Sequence, residues 1–343
     1  MDDLKDIVRK NIWDLVPYSS ARDEYSGAEA ILMDANESPF NPPFNRYPDP
    51  RQNKLKEKIS GMLGITSSQI FLGNGSDEAI DLLMRVFCNP GKDRIIIIDP
   101  SYGMYKVSAD INDVGVDFVE LGTDFSLNGV RILGSVRPHT KMIFLCSPNN
   151  PTSNLLETEE IYKILERFNG MVVVDEAYID FAGSPGLLTS LEKYPNLILL
   201  RTLSKAWAGA GIRLGMAIAD PEVISLMDRV KYPYNVNLLT HEKALELLDN
   251  EKQKNEWVEM ILLEREGLVK ELEKLPVIRK IHHSDANFIL VRVSDPDALY
   301  AHLAKGGVII RNRSRLTHCE GCLRITIGTS EENKRLLELI KSF

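Results

Sequence analysis

Leu-Ile-Leu-Leu-Arg-Thr-Leu-Ser-Lys-Ala-Trp-Ala-Gly-Ala-Gly-Ile-Arg-Leu-Gly, residues 197 to 215, decides how this chain of 343 residues is read. It opens with an apolar run that reads as a buried strand and breaks into small residues around one lysine, Lys205. A second apolar run follows, from Ile212 to Ala219. Long cationic side chains belong on solvated faces, because burying an unpaired ammonium is costly, so this placement asks for a chemical reason. A desolvated lysine has a depressed pKa, and its neutral amine can form a Schiff base with an aldehyde or ketone. The competing reading is a strand-end lysine with its head in water, and the stretch by itself leaves the two evenly balanced.

On either side of this stretch, apolar strands alternate with amphipathic segments. Strands are expected at 31–33, 70–72, 94–98, 116–119, 142–145, 171–174 and 196–200. Helices are expected at 4–15, 54–63, up to Phe87, 104–110, 157–168 with Thr158 as a candidate cap, and 221–231. A turn is expected over 17–22, and Pro42, Pro43, Pro48 and Pro50 make a stiff loop around Tyr47. Near-continuous Val/Ile/Leu strands separated by helices mean an α/β fold, a mostly parallel sheet covered by helices on both faces. Ligands in such sheets sit at the carboxyl ends of the strands, and each polar cluster of this chain follows a strand. Two long helices over 238–248 and 252–275 read as a bridge. After Pro276, short strands at 277–281, 287–293, 308–310 and 323–327, with helices at 297–305 and 331–341, form a separate α+β unit.

Composition narrows the function classes. With 44% hydrophobic and 26% charged residues the chain is an ordinary globular protein, and a net charge of −8 with no basic block argues against nucleic acid or anionic membrane as its partner. Cys88, Cys146, Cys319 and Cys322 are too few and too scattered for a disulfide scaffold and fit a reducing, cytoplasmic setting. The Cys319-x-x-Cys322 spacing has no second Cys/His pair nearby, so it reads as a loop with a buried cysteine leading into a strand rather than a metal site. The first residues lack the apolar core of a signal peptide, and no apolar run approaches the ~20 residues of a membrane helix.

The polar clusters supply complementary chemistry. Gly73-Asn74-Gly75-Ser76-Asp77-Glu78 opens a helix after a strand, where free N–H groups and the helix dipole favour an anion such as phosphate; simple capping by Ser76 is the equal alternative. Thr202 and Ser204 add hydroxyl donors and Arg213 a charged one. Asp175 ends an uninterrupted apolar strand, a place for a carboxylate that meets a cation such as a pyridinium nitrogen, although capping of the next segment also accounts for it. Asn150 and Tyr178 suit a phenolate oxygen, and Tyr102 suits the face of a flat ring. A Schiff-base lysine, an acid for a ring nitrogen, an Asn/Tyr pair, an aromatic face and a phosphate cup are together the requirements of pyridoxal 5'-phosphate.

The chain resembles the fold-type I pyridoxal-phosphate-dependent aminotransferases, and within them the histidinol-phosphate aminotransferase family. The resemblance rests on Arg-Tyr-Pro-Asp-Pro (46–50), Gly-Asn-Gly-Ser-Asp-Glu (73–78), Pro-Ser-Tyr-Gly-Met-Tyr (100–105), Ser-Pro-Asn-Asn-Pro-Thr (147–152), Val-Asp-Glu-Ala-Tyr (174–178), Arg-Thr-Leu-Ser-Lys-Ala (201–206) and Cys-Leu-Arg-Ile-Thr-Ile-Gly-Thr (322–329). It implies that Lys205 forms the Schiff base, Asp175 binds the pyridine nitrogen, and Asn150 and Tyr178 bind the ring hydroxyl. It further implies that Tyr102 stacks on the ring and that Ser76, Asp77, Thr202, Ser204 and Arg213 hold the phosphate. By the same resemblance Tyr47 reaches the cofactor of a partner subunit in a homodimer. Arg324 and Arg311 hold the substrate's acid group, and Tyr18 and Asn36 line the substrate side.

The implied reaction is reversible transamination of L-histidinol phosphate with 2-oxoglutarate. Aromatic-amino-acid transamination, threonine-phosphate decarboxylation on the same scaffold and a non-catalytic cofactor-binding module remain as alternatives. The implied domains are a large cofactor domain over 31–250, a small one over 251–343, and a segment 1–30 packing with the small domain. The chain departs from the family's pattern at Ser153, where a glycine is usual and which matters if the turn needs a positive φ, and over 206–211, where Trp207 keeps aromatic character and the placement of Lys205 is expected to survive.

Overall fold

The Val/Ile/Leu runs build one seven-stranded sheet in the computed structural model, which describes residues 4–18 and 31–343. Its strands are β1 (Ile70–Asn74), β2 (Arg94–Asp99), β3 (Gly115–Glu120), β4 (Thr140–Cys146), β5 (Met171–Asp175), β6 (Leu197–Thr202) and β7 (Leu214–Ile218). They lie in the order β1-β7-β6-β5-β4-β2-β3. β7 runs antiparallel to β1 and β6, and the other neighbours are parallel.

Side chains alternate between two cores. Ile96, Ile98, Ile143, Leu145, Val172 and Val174 face one, and Ile95, Ile97, Phe144, Met171 and Val173 face the other. Both faces are dry, which is why these strands read as continuous apolar runs instead of alternating ones.

The helices are α1 (Leu4–Ile7), α2 (Lys10–Trp13), α3 (Asn53–Leu63), α4 (Ser76–Phe87), α5 (Met104–Ile111), α6 (Gly129–Gly134), α7 (Thr158–Arg167), α8 (Pro221–Val230), α9 (Leu238–Leu248), α10 (Glu251–Leu272), α11 (Pro296–Lys305) and α12 (Ser330–Lys341). No helix among the described residues is long and apolar enough to cross a membrane.

A second sheet, β10-β11-β9-β8, follows α10 and is built from β8 (Ile278–Ile281), β9 (Phe288–Val293), β10 (Arg311–Asn312) and β11 (Cys322–Thr326), all antiparallel. One of its faces, with Ile289, Val291, Leu323 and Ile325, packs on Leu268, Leu272, Leu303 and Leu336 from α10, α11 and α12. The opposite face turns toward the large sheet: Leu290 and Cys322 join one of the large unit's cores, and Phe288 packs with Tyr178 and Ala206. Because β-strand side chains alternate, Arg324 shares that second face and is delivered to the carboxyl ends of the parallel strands.

Several local expectations change. The segment 4–15 is two short helices, broken where Arg9 takes an extended backbone ahead of α2. Leu4, Ile7, Val8 and Ile12 insert into a core of the large unit, so this part of the 1–30 segment packs there and not with the small domain. Residues 1–3 and 19–30 of that segment, and so most of the 17–22 turn, lie outside the described residues.

Residues 31–33 form no strand. Ile31 and Met33 are 90% exposed, since a three-residue apolar run with no neighbouring strand gains no ladder hydrogen bonds. The strand expected at 308–310 appears instead as β10, opposite β11. α7 begins at Thr158 with Glu157 at the cap position. The short helix α6 was hidden by glycines at both of its ends.

Candidate active site

Parallel strands place all their carboxyl ends on one edge, and the loops leaving β1, β4, β5 and β6 meet there. They enclose a cleft lined by Gly75, Ser76, Asp77, Tyr102, Cys146, Asn150, Asp175, Ala177, Tyr178, Thr202, Ser204, Lys205, Ala210 and Arg213. Ten of the residues expected to serve one ligand, Ser76, Asp77, Tyr102, Asn150, Asp175, Tyr178, Thr202, Ser204, Lys205 and Arg213, therefore share a wall although up to 137 positions separate them (213 − 76 = 137).

Lys205 enters the cleft from the turn after β6. That turn is held by Leu203 N–H donating to Leu214 O at 3.0 Å and Gly209 N–H donating to Leu203 O at 2.9 Å. Trp207 is buried against the core beneath it, so the unusual 206–211 run still anchors the lysine. Nζ lies 5.4 Å from the centroid of the Tyr178 ring and has no carboxylate at ion-pair distance among the described residues. Burial lowers its pKa, the Arg324 charge lowers it further, and Asp175 and Asp77 only partly oppose this. A fraction of neutral amine is therefore available for nucleophilic or proton-transfer work.

The anion end is built by α4 and β7. The start of α4 has no side-chain cap, so its first N–H groups stay available to a ligand. Gly75 has φ 74°, and a Cβ there would sit 2.6 Å from Arg213 Nη2. At Gly215 a Cβ would fall 2.1 Å from Ser76 N, so only glycine lets β7 press against the helix start. Thr202 Oγ1 lies 3.1 Å from Leu214 O and 2.9 Å from Ser204 Oγ and accepts the Ser204 N–H at 3.1 Å, which aligns both hydroxyls. Arg213 Nη2 stands 3.4 Å from Asp77 Oδ2. The Asp77 carboxylate thus orients Arg213, and what Asp77 offers an anion is its helix N–H.

Asp175 is 3% exposed, yet no cation lies within ion-pair distance among the described residues. It accepts from Tyr105 Oη at 2.7 Å and from Ala177 N–H at 3.0 Å. Burial nonetheless pushes its pKa up to about 6. Asn150 Nδ2 is 3.5 Å from Tyr178 Oη, and Tyr102 Oη donates to Asp77 Oδ1 at 3.1 Å. Pyridoxal 5'-phosphate fits this donor set. The buried acid lacks a cation that a pyridinium would supply, the uncapped helix start lacks an anion that a phosphate would supply, and the desolvated amine lacks a partner.

Above the cleft stand three arginines. Arg311 and Arg324 pair directly across β10 and β11, and Arg313, two residues beyond Arg311, continues the same side. None has an acidic partner among the described residues, and Arg313 Nε is buried without a hydrogen bond. Burial and the neighbouring Arg313 charge lower the Arg324 pKa. Arg313 went unnoticed in the sequence, where Arg-Asn-Arg-Ser-Arg looks like a solvated loop. Tyr105 was also missed because it resembles any core aromatic.

Tyr47, Asn36 and Tyr18 do not enter this cleft of their own chain. Tyr47 stacks on Tyr234 with ring centroids 4.4 Å apart and, with Asn36, lines a different hollow. Tyr18 lines a third, beside Arg51 and Arg229.

Ser153 answers the question its neighbourhood posed. Its φ is 68°, the conformation that favours glycine. Its hydroxyl donates to Thr152 O at 2.5 Å and to His283 O at 3.0 Å, and Asp285 N–H donates to Ser153 O at 2.7 Å. The serine holds the turn and ties it to the loop before β9.

The family description "Aminotransferase class I and II" matches residues 24–340. A histidinol-phosphate aminotransferase of Parabacteroides distasonis is 55% identical over 342 residues, covering 100% of this chain and 99% of that protein. One of Cytophaga hutchinsonii is 52% identical, covering 99% of each. Among solved structures, the histidinol-phosphate aminotransferase of Clostridium acetobutylicum superposes with a TM-score of 0.81 at 26% identity, covering 87% of this chain and 90% of that one. The fold also matches that of the Sinorhizobium meliloti enzyme solved in complex with pyridoxal-5'-phosphate, with a TM-score of 0.77 at 21% identity and 90% of each chain covered.

Proposed function

This chain belongs to the aminotransferase class I and II family, and from that premise we propose that it interconverts L-histidinol phosphate and 2-oxoglutarate with imidazole acetol phosphate and L-glutamate. The observation that carries this reading is the desolvated Lys205 facing Asp175 and the helix-start anion cup in one cleft, with three arginines above it that have no acidic partner among the described residues. Pyridoxal 5'-phosphate, when bound, supplies the electron sink that acidifies the substrate Cα–H and carries the amino group between the half-reactions.

Ser76, Thr202, Ser204 and Arg213, with the Asp77 N–H, would hold the cofactor phosphate. Asp175 would offer a negative charge to the ring nitrogen, Asn150 and Tyr178 would bind the ring oxygen, and Tyr102 would pack on the ring. Nζ of Lys205, whose pKa burial and the Arg324 charge lower, would take the proton from the substrate Cα in its neutral form and later return one. Arg324, Arg311 and Arg313 receive the distal acid. A guanidinium fork suits both carboxylate and phosphate, so one subsite serves both substrates. The buried Trp207 and the docked small sheet limit the water that reaches Lys205.

The working unit is a homodimer in which Tyr47, with Asn36 beside it, reaches the second copy's cleft and Tyr18 borders the substrate side. Phe40, Phe44, Tyr47, Tyr232 and Leu239 are all exposed around that loop, an apolar surface that a second copy would cover. Buried free thiols at Cys88, Cys146, Cys319 and Cys322 suit the reducing cytoplasm.

The test mixes the cofactor-loaded protein with L-histidinol phosphate or with phenylalanine and follows conversion of the bound cofactor to pyridoxamine phosphate. Faster conversion with phenylalanine overturns the substrate. Release of CO2 without any need for a keto acid overturns transamination. Sedimentation as a monomer removes the role given to Tyr47.

A further inference from the structure

We infer that Tyr105 is a positioning residue for the cofactor ring: its hydroxyl holds the acid that meets the ring nitrogen, and its ring edge holds the aromatic that meets the ring face. This rests on the assignment of Asp175 and Tyr102 to the cofactor.

Tyr105 lies in the first turn of α5 and is fully buried. Its ring tilts on Phe144 with centroids 5.0 Å apart, within a core of aliphatic and phenyl side chains. Phenylalanine would fill that space without a polar atom to satisfy, so the hydroxyl needs a purpose. It donates to Asp175 Oδ2 at 2.7 Å, while Oδ1 takes the Ala177 N–H.

Each group facing Asp175 has a defined sign. Tyr105, from α5, stabilises the carboxylate and is the largest influence opposing burial; Lys205 also favours the charged form, and Asp77 opposes it. Cys146, Tyr102 and Tyr178 stand close enough for the Asp175 charge to raise their own pKa values.

The same side chain reaches the other end of the cleft. Tyr105 meets Tyr102 edge-on, at 5.5 Å and 85°. Tyr102 in turn donates to Asp77, which faces Arg213. The acid end and the phosphate end are therefore joined as Asp175–Tyr105–Tyr102–Asp77–Arg213, with Tyr105 the only member that lines neither end of the cleft. Losing its hydroxyl leaves a buried carboxylate with one donor fewer, so Asp175 protonates more readily and attracts a ring cation less.

The experiment is fluorescence titration of pyridoxal 5'-phosphate binding across pH with Tyr105→Phe, Asp175→Asn and the double variant. For Tyr105→Phe, the dissociation constant at neutral pH should rise roughly tenfold and the acid limb of the binding profile should move up by about one pH unit. In the Asp175→Asn background, Tyr105→Phe should add nothing. An unmoved acid limb, or an equal loss in the Asp175→Asn background, overturns the inference. If Asp175→Asn itself binds like the parent, the cofactor assignment of Asp175 fails instead. Should Tyr105→Phe fold poorly, 3,5-difluorotyrosine at 105, a stronger donor of the same shape, should move the acid limb down; an upward shift or none overturns the inference.

Discussion

Arg324 Nη1 lies 2.5 Å from Asn150 Oδ1, so a guanidinium of the small sheet and an amide from the end of β4 meet at the cleft across 174 positions of sequence. The contact docks the two units and occupies part of the arginine's fork. In the proposed subsite an arriving acid would share Arg324 with Asn150 or take it over, which would couple substrate capture to the position of an amide beside Tyr178.

Arg324→Lys keeps the charge but loses the planar fork. The kcat/KM for the phosphorylated amine should fall by roughly 100-fold, about 2.7 kcal/mol of transition-state binding, while cofactor absorbance is retained. Steady-state kinetics within a few-fold of the parent would remove Arg324 from the subsite.

Arg313→Gln should separate the two half-reactions. A phosphate dianion draws on more cations than a single carboxylate, so the apparent affinity for the phosphorylated amine should drop by roughly tenfold and that for glutamate much less. Rapid-mixing measurements of each half-reaction decide it, and equal losses would mean that Arg313 only supports the fold.

Lys205→Ala should abolish turnover, a loss of roughly 10⁴-fold or more, and with it the visible Schiff-base absorbance, while the phosphate cup still retains the cofactor non-covalently. A visible band unchanged in this variant would rule out Lys205 as the amine.

Ser153→Ala keeps the positive φ and discards the hydroxyl that donates to His283 O. It should lose about 1–2 kcal/mol in urea unfolding. Ser153→Gly loses the same bond but relieves the backbone, and should stay within about 1 kcal/mol of the parent. If alanine proves as stable as glycine, the backbone does not need the left-handed conformation.

Asp175 has a folded pKa pushed up to about 6 by burial, against about 3.9 unfolded. Its contribution to the cofactor-free fold is therefore fully present below about pH 4 and is lost as pH rises through 6. Asp175→Asn should stabilise the cofactor-free protein at neutral pH by up to about 3 kcal/mol, with the gain shrinking toward pH 5. A gain that grows as pH falls would contradict this sign.

Local patterns in the chain specify burial and secondary structure without reference to distant segments. Apolar runs at 94–98, 142–145, 171–174 and 196–200 specify burial on two faces, hence a parallel sheet, and a parallel sheet sends Asn150, Asp175, Thr202 and the start of α4 to one edge. That is why a Lys205 ambiguous on its own could be read together with residues far away.

Tertiary structure alone decided the contacts between elements. Tyr105 carries no local mark to distinguish a packing ring from a donor to Asp175. Arg313 comes beside Arg324 only because β10 pairs with β11, and Ser153 reveals its φ only in the turn it closes against His283. The helical run at 4–13 was legible as amphipathic, but which core takes its apolar side was not. Periodicity records that a side is buried, whereas its partner depends on the register and docking of segments that share no sequence neighbourhood.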